Sequence, residues 1–213
     1  MSATIRIEHP ILSHPWYKMW ECGELPVESL RHYAQEYFWQ VAHFPRYLSR
    51  LHSQVSDLKT RQVILENLAD EENPKSPHPE LWLDFAEALG LDRDKVRSSS
   101  PSPAAQELIH EFQSLIEAGV PEGLGAILAY ESQVPAVAQF KSKALESYYL
   151  QKEKADQGTR FFRVHQEADV WHTKELDDVV ASLSTEDRQK AQVAADKASL
   201  ALWKFLDAMP GKH

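Results

Sequence analysis

An all-helical fold is what this chain predicts, on three observations. Apolar residues recur at spacings near 3.6 almost throughout, and strict alternation over the length of a strand is hard to find. The composition is rich in Ala, Leu, Glu, Gln and Lys and holds only seven glycines. With 213 residues, 43% hydrophobic and 26% charged, the chain suits one domain spanning 1–213 with a continuous core. About seven to eight helices joined by short turns are expected.

The elements follow in order. A first helix near residues 15–22 stops at Gly23, and Pro26 opens the next, whose apolar face is Leu30, Tyr33, Ala34, Tyr37, Val41 and Phe44. Pro45 is expected to kink or restart it. Asp57 suits the N-cap of a helix running to about Glu72, which the three prolines of NPKSPHP cannot continue. Pro79 opens PELWLDFAEAL, which stops at Gly90, and SSSPSP at 98–103 is a linker or cap before AAQELIHEFQSLIEAG. From Pro121 a helical pattern runs towards Tyr149 with Pro135 as a kink close to Glu131. Gly158 marks a break, a helix follows from about Thr159 to Leu183, and Ser184 caps the last one, which carries Leu200, Leu202, Trp203 and Phe205.

A formal net charge of −9 argues against nucleic acid or an anionic membrane surface as a partner, since both select basic patches. There is no apolar run of 18 residues, and MSATIRIEHP lacks a basic region followed by an apolar one, so a cytoplasmic location is expected. The single cysteine, Cys22, excludes an intramolecular disulfide framework and reads as a small buried apolar residue.

Three local signals bear chemistry. His165, Asp169 and His172 are offset by four and seven residues, which returns their side chains to one stripe of a helix. Imidazole nitrogen with carboxylate oxygen suits iron, manganese or zinc better than the all-oxygen shells of magnesium or calcium. Glu71 and His78 flank the proline-broken turn, where a bend can aim both inward. Glu131, in LAYESQVP, follows a full turn of apolar or small residues, and burying a lone carboxylate costs several kcal/mol unless a cation accompanies it. Each signal has a plain alternative: a solvated polar face around Gln166, Glu167, Lys174 and Glu175, a charge run of Asp70 and Glu72, a solvent-facing glutamate. Taken together, three His and three carboxylates from separate helices can fill two metal positions in a bundle.

Over nearly its whole length the chain resembles the group of the Chlamydia protein associating with death domains and its bacterial relatives. The resemblance is carried by HPWYKMW, SLRHYAQEYFWQVAHFPRYLSRLHS, LENLADEEN, HPELW, YESQVP and HQEADVWH. That group lies among the haem-oxygenase-like diiron oxidases, with pyrroloquinoline-quinone synthase C and thiaminase II more distant. The resemblance implies a haem-oxygenase-like helical bundle. It implies six metal ligands, Glu71, His78, Glu131, His165, Asp169 and His172, holding two ions, Fe/Fe or Fe/Mn, with dioxygen and an external reductant. It further implies self-sacrificing synthesis of para-aminobenzoate, a folate precursor, with Tyr17 as the cleaved tyrosine, Tyr33 as a second functional tyrosine and Lys141 as the amino donor.

One departure is Phe161, where the chlamydial protein has a tyrosine four residues before the first histidine of HxxxDxxH, so no radical relay is expected through that position. No motif for death-domain binding is present, and none is expected; a homodimer is expected by analogy with such folds. By residue type alone Tyr17 and Tyr33 also suit core aromatics and Lys141 a surface lysine. Competing readings are a diiron oxidase acting on a small external amine or fatty acid, a metal-free enzyme like pyrroloquinoline-quinone synthase C or thiaminase II, and a scaffold that merely presents a surface.

Overall fold

The computed structural model describes residues 4–211, the side chains of 167–170 excepted. The elements are α1 (Pro15–Glu21), α2 (Val27–Gln54), α3 (Leu58–Glu71), α4 (His78–Ala88), α5 (Arg93–Ser98), α6 (Pro103–Ala118), α7 (Val120–Glu131), α8 (Val134–Ala144), α9 (Lys152–Ser182) and α10 (Thr185–Asp207). There is no strand among the described residues, and no helix there is long and apolar enough to cross a membrane.

Local chemistry sets the ends. Asp57 accepts the Thr60 N–H at 2.8 Å, Ser102 the Ala105 N–H and Ser184 the Asp187 N–H, each satisfying an amide that a helix N-terminus leaves without a partner. At α1 the cap is a histidine: the ring of His14 accepts the Trp16 N–H, with Pro15 at the first helical position. Gly23 takes a φ of 71°, the left-handed conformation that ends the α1 region.

Among the described residues there are ten α-helices rather than seven to eight, because one expected segment divides and one short helix is added. The pattern from Pro121 to Tyr149 is not one kinked helix but α7 and α8, separated at Ser132 and Gln133, followed by a π turn over Leu145–Tyr149. Pro135 falls in the first turn of α8, where its missing N–H costs nothing. The stretch after Gly90 contributes the short α5, capped by Asp92.

Three further expectations are corrected. Of the two outcomes expected at Pro45, a restart does not occur, since α2 runs through it for 28 residues. Gly158 marks no break, since α9 runs through it for 31 residues. A β-carbon there would meet Leu150 Cδ1 at 2.4 Å and Ala88 Cβ at 2.8 Å, so the glycine serves close packing of α9 on α4. Cys22 is exposed rather than buried, because the C-terminus of α1 reaches the surface there.

Of the glycines, Gly125 makes the closest approach to another backbone, joining α7 to α10. A β-carbon at Gly125 would lie 2.0 Å from the backbone oxygen of Ala191, which no side-chain motion can relieve. Gly125→Ala should therefore cost at least about 3 kcal/mol, at the upper end for overpacking, measured by urea unfolding of the metal-free chain. This close approach fixes α7, and with it Glu131, against the bundle.

Candidate metal centre and its tyrosine cluster

Glu71 is the last residue of α3 and His78 the first of α4. The proline-containing turn folds the two helices together, so that His78 Nδ1 lies 3.0 Å from Glu71 Oε1. From α9, His165 Nε2 comes within 3.9 Å of the same oxygen. All three residues are buried, and one donor atom of each lies within 4.8 Å of the others. Donors sharing one ion at about 2.0–2.2 Å sit roughly 3–4 Å apart, so the set is already close to coordinating geometry.

Ring orientation agrees. The Phe161 carbonyl, which can only accept, takes the His165 Nδ1 proton at 2.7 Å and leaves the Nε2 lone pair facing Glu71. His78 Nδ1 is buried without a hydrogen-bond partner, because the Glu71 oxygen 3.0 Å away lies outside hydrogen-bond geometry.

Glu131 ends α7 and is 2% exposed. Its Oε1 accepts the Asn67 Nδ2–H at 2.9 Å, while Oε2 is buried with no partner. Burial raises the Glu131 carboxyl well above the usual carboxylate range; the Asn67 bond opposes this and the Glu71 charge adds to it. Burial also pushes Glu71 up, but the nearby imidazoles of His78 and His165 outweigh it and hold that carboxyl below its ordinary value. His172, 5% exposed, places Nε2 3.0 Å from Asp70 Oδ2 and leaves Nδ1 buried without a partner. The side chain of Asp169 lies outside the described residues.

Buried polar atoms without partners are uncommon and call for an explanation. Here His78 Nδ1, Glu131 Oε2 and His172 Nδ1 are three such atoms among the six expected ligands. Imidazole nitrogens beside carboxylates fit a cation of the iron, manganese or zinc type.

The tyrosine cluster is equally enclosed. Tyr17 and Tyr33 are 2% and 0% exposed, with their hydroxyls 3.0 Å apart. Lys141, 2% exposed, donates from Nζ to Tyr33 Oη at 2.7 Å and sits 4.7 Å from the Tyr17 ring centroid, also facing Trp20 and Phe162. It is not a surface lysine. Burial alone drives its ammonium far below the ordinary value, favouring the neutral amine. Burial likewise raises the phenols of Tyr17, Tyr33, Tyr37 and Tyr130, keeping them protonated.

Two further tyrosines link this cluster to the carboxylates. Tyr37 stacks on Tyr33 at 5.2 Å, and its hydroxyl lies 3.5 Å from that of Tyr130, the neighbour of Glu131. A cavity of about 20 Å³ lies between, lined in part by Tyr17, Tyr37, Tyr130, Lys141 and Phe161. Phe161 packs 4.1 Å from the His165 ring, so the position without a phenol forms an apolar wall between cavity and metal ligands. Asn67 and Asp70 were missed as well. Asp70 reads in sequence as part of a charge run, and the one available signal is that 67, 70 and 71 share a helix face.

A family model described as iron-containing redox enzyme matches residues 31–204. A 4-aminobenzoate synthase of Chlamydia muridarum is 36% identical over 209 residues, covering 98% of this chain and 87% of the relative. A 4-aminobenzoate synthase of Nitrosomonas europaea is 36% identical, covering 93% and 85%. In structure the chain is similar to a TenA homolog of Pseudomonas syringae pv. tomato, with a TM-score of 0.78 at 16% identity over 93% of this chain and 85% of that one, which establishes the haem-oxygenase-like fold. The chain belongs to the iron-containing redox enzyme family and is an oxidoreductase with a metal cofactor.

Proposed function

We propose that this enzyme makes 4-aminobenzoate with a dinuclear centre, Fe/Fe or Fe/Mn, held by Glu71, His78, Glu131, His165, Asp169 and His172, and that Tyr17 supplies the ring. The observation that carries this reading is the amine of Lys141, buried 4.7 Å from the centroid of the Tyr17 ring beside a cavity of about 20 Å³. That volume holds roughly one water or dioxygen molecule. An external aromatic acid has no room there, whereas Tyr17 already provides a para-substituted ring whose Cβ corresponds to the carboxyl carbon of the product.

When bound, the metal pair supplies oxygen activation, with electrons from an external reductant. The residues supply the rest. The apolar wall of Phe161, Trp82 and Phe162 keeps water from the reacting ring. Tyr17 Oη, Tyr33 Oη and Lys141 Nζ lie in a continuous row along which a phenolic proton can leave Tyr17 once the neutral amine favoured by burial turns its lone pair, in place of its N–H, to Tyr33 Oη. With that proton passed on, the neutral amine of Lys141 is the candidate nitrogen donor.

The test loads the metal-free chain with Fe(II), or Fe(II) with Mn(II), under anaerobic conditions, adds reductant and then oxygen, with no aromatic compound supplied. The expected result is 4-aminobenzoate by liquid chromatography, stoichiometric with the chain. Repeated turnovers that depend on an added substrate would support an oxidase of external molecules instead. One observation favours that second reading: a surface groove of about 460 Å³ between α6 and α10 has Phe205 in its lining, and Phe205 packs 5.4 Å from Tyr37.

A further inference from the structure

We infer that Asn67 and Asp70 are positioning residues that aim Glu131 and His172 at the second metal ion. The inference rests on the dinuclear reading above and assigns roles to two residues outside the ligand set.

Asn67, Asp70 and Glu71 lie three and four residues apart on α3 and therefore share one face. Glu71 meets His78 and His165 directly. Its two neighbours on that face each hold a different buried side chain by one atom. Asn67 donates to Glu131 Oε1 at 2.9 Å, which stops the carboxylate from rotating and leaves Oε2 as its free atom. Asp70 Oδ2 lies 3.0 Å from His172 Nε2. An ionised carboxylate only accepts, so Nε2 carries the ring proton and the lone pair stays on Nδ1.

The outcome is the same in both cases. One side of the ligand is tied to α3, and the opposite atom is buried with no partner. A carboxylate or amide behind a ligand fixes its orientation and, for histidine, its tautomer and basicity. Burial of a polar atom without a partner is unfavourable, so the arrangement is explained if the free atoms meet a cation. Asp70 is 55% exposed at its side chain, which makes a purely structural role for it weak.

The test is anaerobic titration with Fe(II), followed by calorimetry and elemental analysis, beside the thermal midpoint of each metal-free chain. The unsubstituted chain is expected to bind two ions. In Asp70→Ala one ion keeps its affinity and the other weakens roughly 10–100-fold, with the metal-free midpoint little changed. Asp70→Asn, which retains an acceptor oxygen for Nε2–H, recovers most of that loss. Asn67→Leu, similar in size but lacking the donor, weakens the same single ion.

Unaltered binding of both ions in Asp70→Ala and Asn67→Leu, or equal weakening of both, overturns the inference while the metal centre stands. Fewer than two ions on the unsubstituted chain overturns the dinuclear reading and this inference with it.

Discussion

Tyr17→Phe forms no 4-aminobenzoate while remaining folded and able to bind metal. The substitution removes one oxygen atom, and its stability cost is small for a specific reason. Among the described residues Tyr17 Oη bonds to Tyr33 Oη alone, and Tyr33 retains Lys141 as a partner, so removing the Tyr17 hydroxyl leaves no buried polar group alone there. The loss of a single neutral hydrogen bond amounts to about 0.5–1.5 kcal/mol. The chemical cost is total, because phenylalanine has no phenolic proton to give up and no oxygen at the ring position where the amine must enter. Product analysis after oxygen exposure, with peptide mass spectrometry of residues 15–21 before and after, checks both halves. In the unsubstituted chain the side chain of residue 17 should be lost in proportion to product. Product from Tyr17→Phe at the level of the unsubstituted chain would exclude Tyr17 as the ring source.

Lys141→Met should likewise yield no product, and the same change should raise stability. Lys141 is a buried amine whose ammonium form burial disfavours, so its proton affinity in the folded chain is far below that in the unfolded chain. Between the folded value and the unfolded value near 10.4, the unfolded chain binds the extra proton. Stability therefore rises with pH across that window, and the penalty is largest at the acidic side of it. Methionine fills similar volume without a proton to lose. Part of the gain is offset by the lost contacts to Tyr33 and the surrounding rings. A net gain of roughly 1–2 kcal/mol at neutral pH, or about 2–8 °C in Tm, is expected. Thermal melts at several pH values would read it, the rise towards alkaline pH being shallower in Lys141→Met. A lower midpoint at neutral pH would mean that the amine, although buried, contributes net stability.

The helices were legible in sequence wherever the signal is local. Caps at Asp57 and Ser184 and the stop at Gly23 depend on atoms within a few residues, and the structure places them as expected. The candidate ligands had one local signal of this kind, since the spacing of His165, Asp169 and His172 returns them to one stripe of a helix, while the full set of six came from the resemblance. Errors arose where the deciding atom comes from elsewhere in the chain. Gly158 stands inside α9 as a glycine because Leu150 and Ala88 leave no room for a β-carbon, and Cys22 is exposed because of where α1 ends on the surface. Lys141 on a straight continuation of α7 would lie about 15 Å from Glu131 along the axis, at 1.5 Å per residue. The helix divides at Ser132 and Gln133, and α1 and α2 supply rings that enclose the amine.

By itself the sequence determined an all-helical chain and an ordered set of carboxylates and imidazoles suited to metal, because periodicity and ligand type are properties of neighbouring residues. Only the tertiary structure decided that Glu71, His78 and His165 converge on one point, and that Asn67 and Asp70 stand behind Glu131 and His172. It also decided that Lys141 is sealed against Tyr17. Those are relations between helices distant in the chain. They are set by how closely the backbones can approach, as at Gly125 against Ala191, and by which buried polar atoms then find partners.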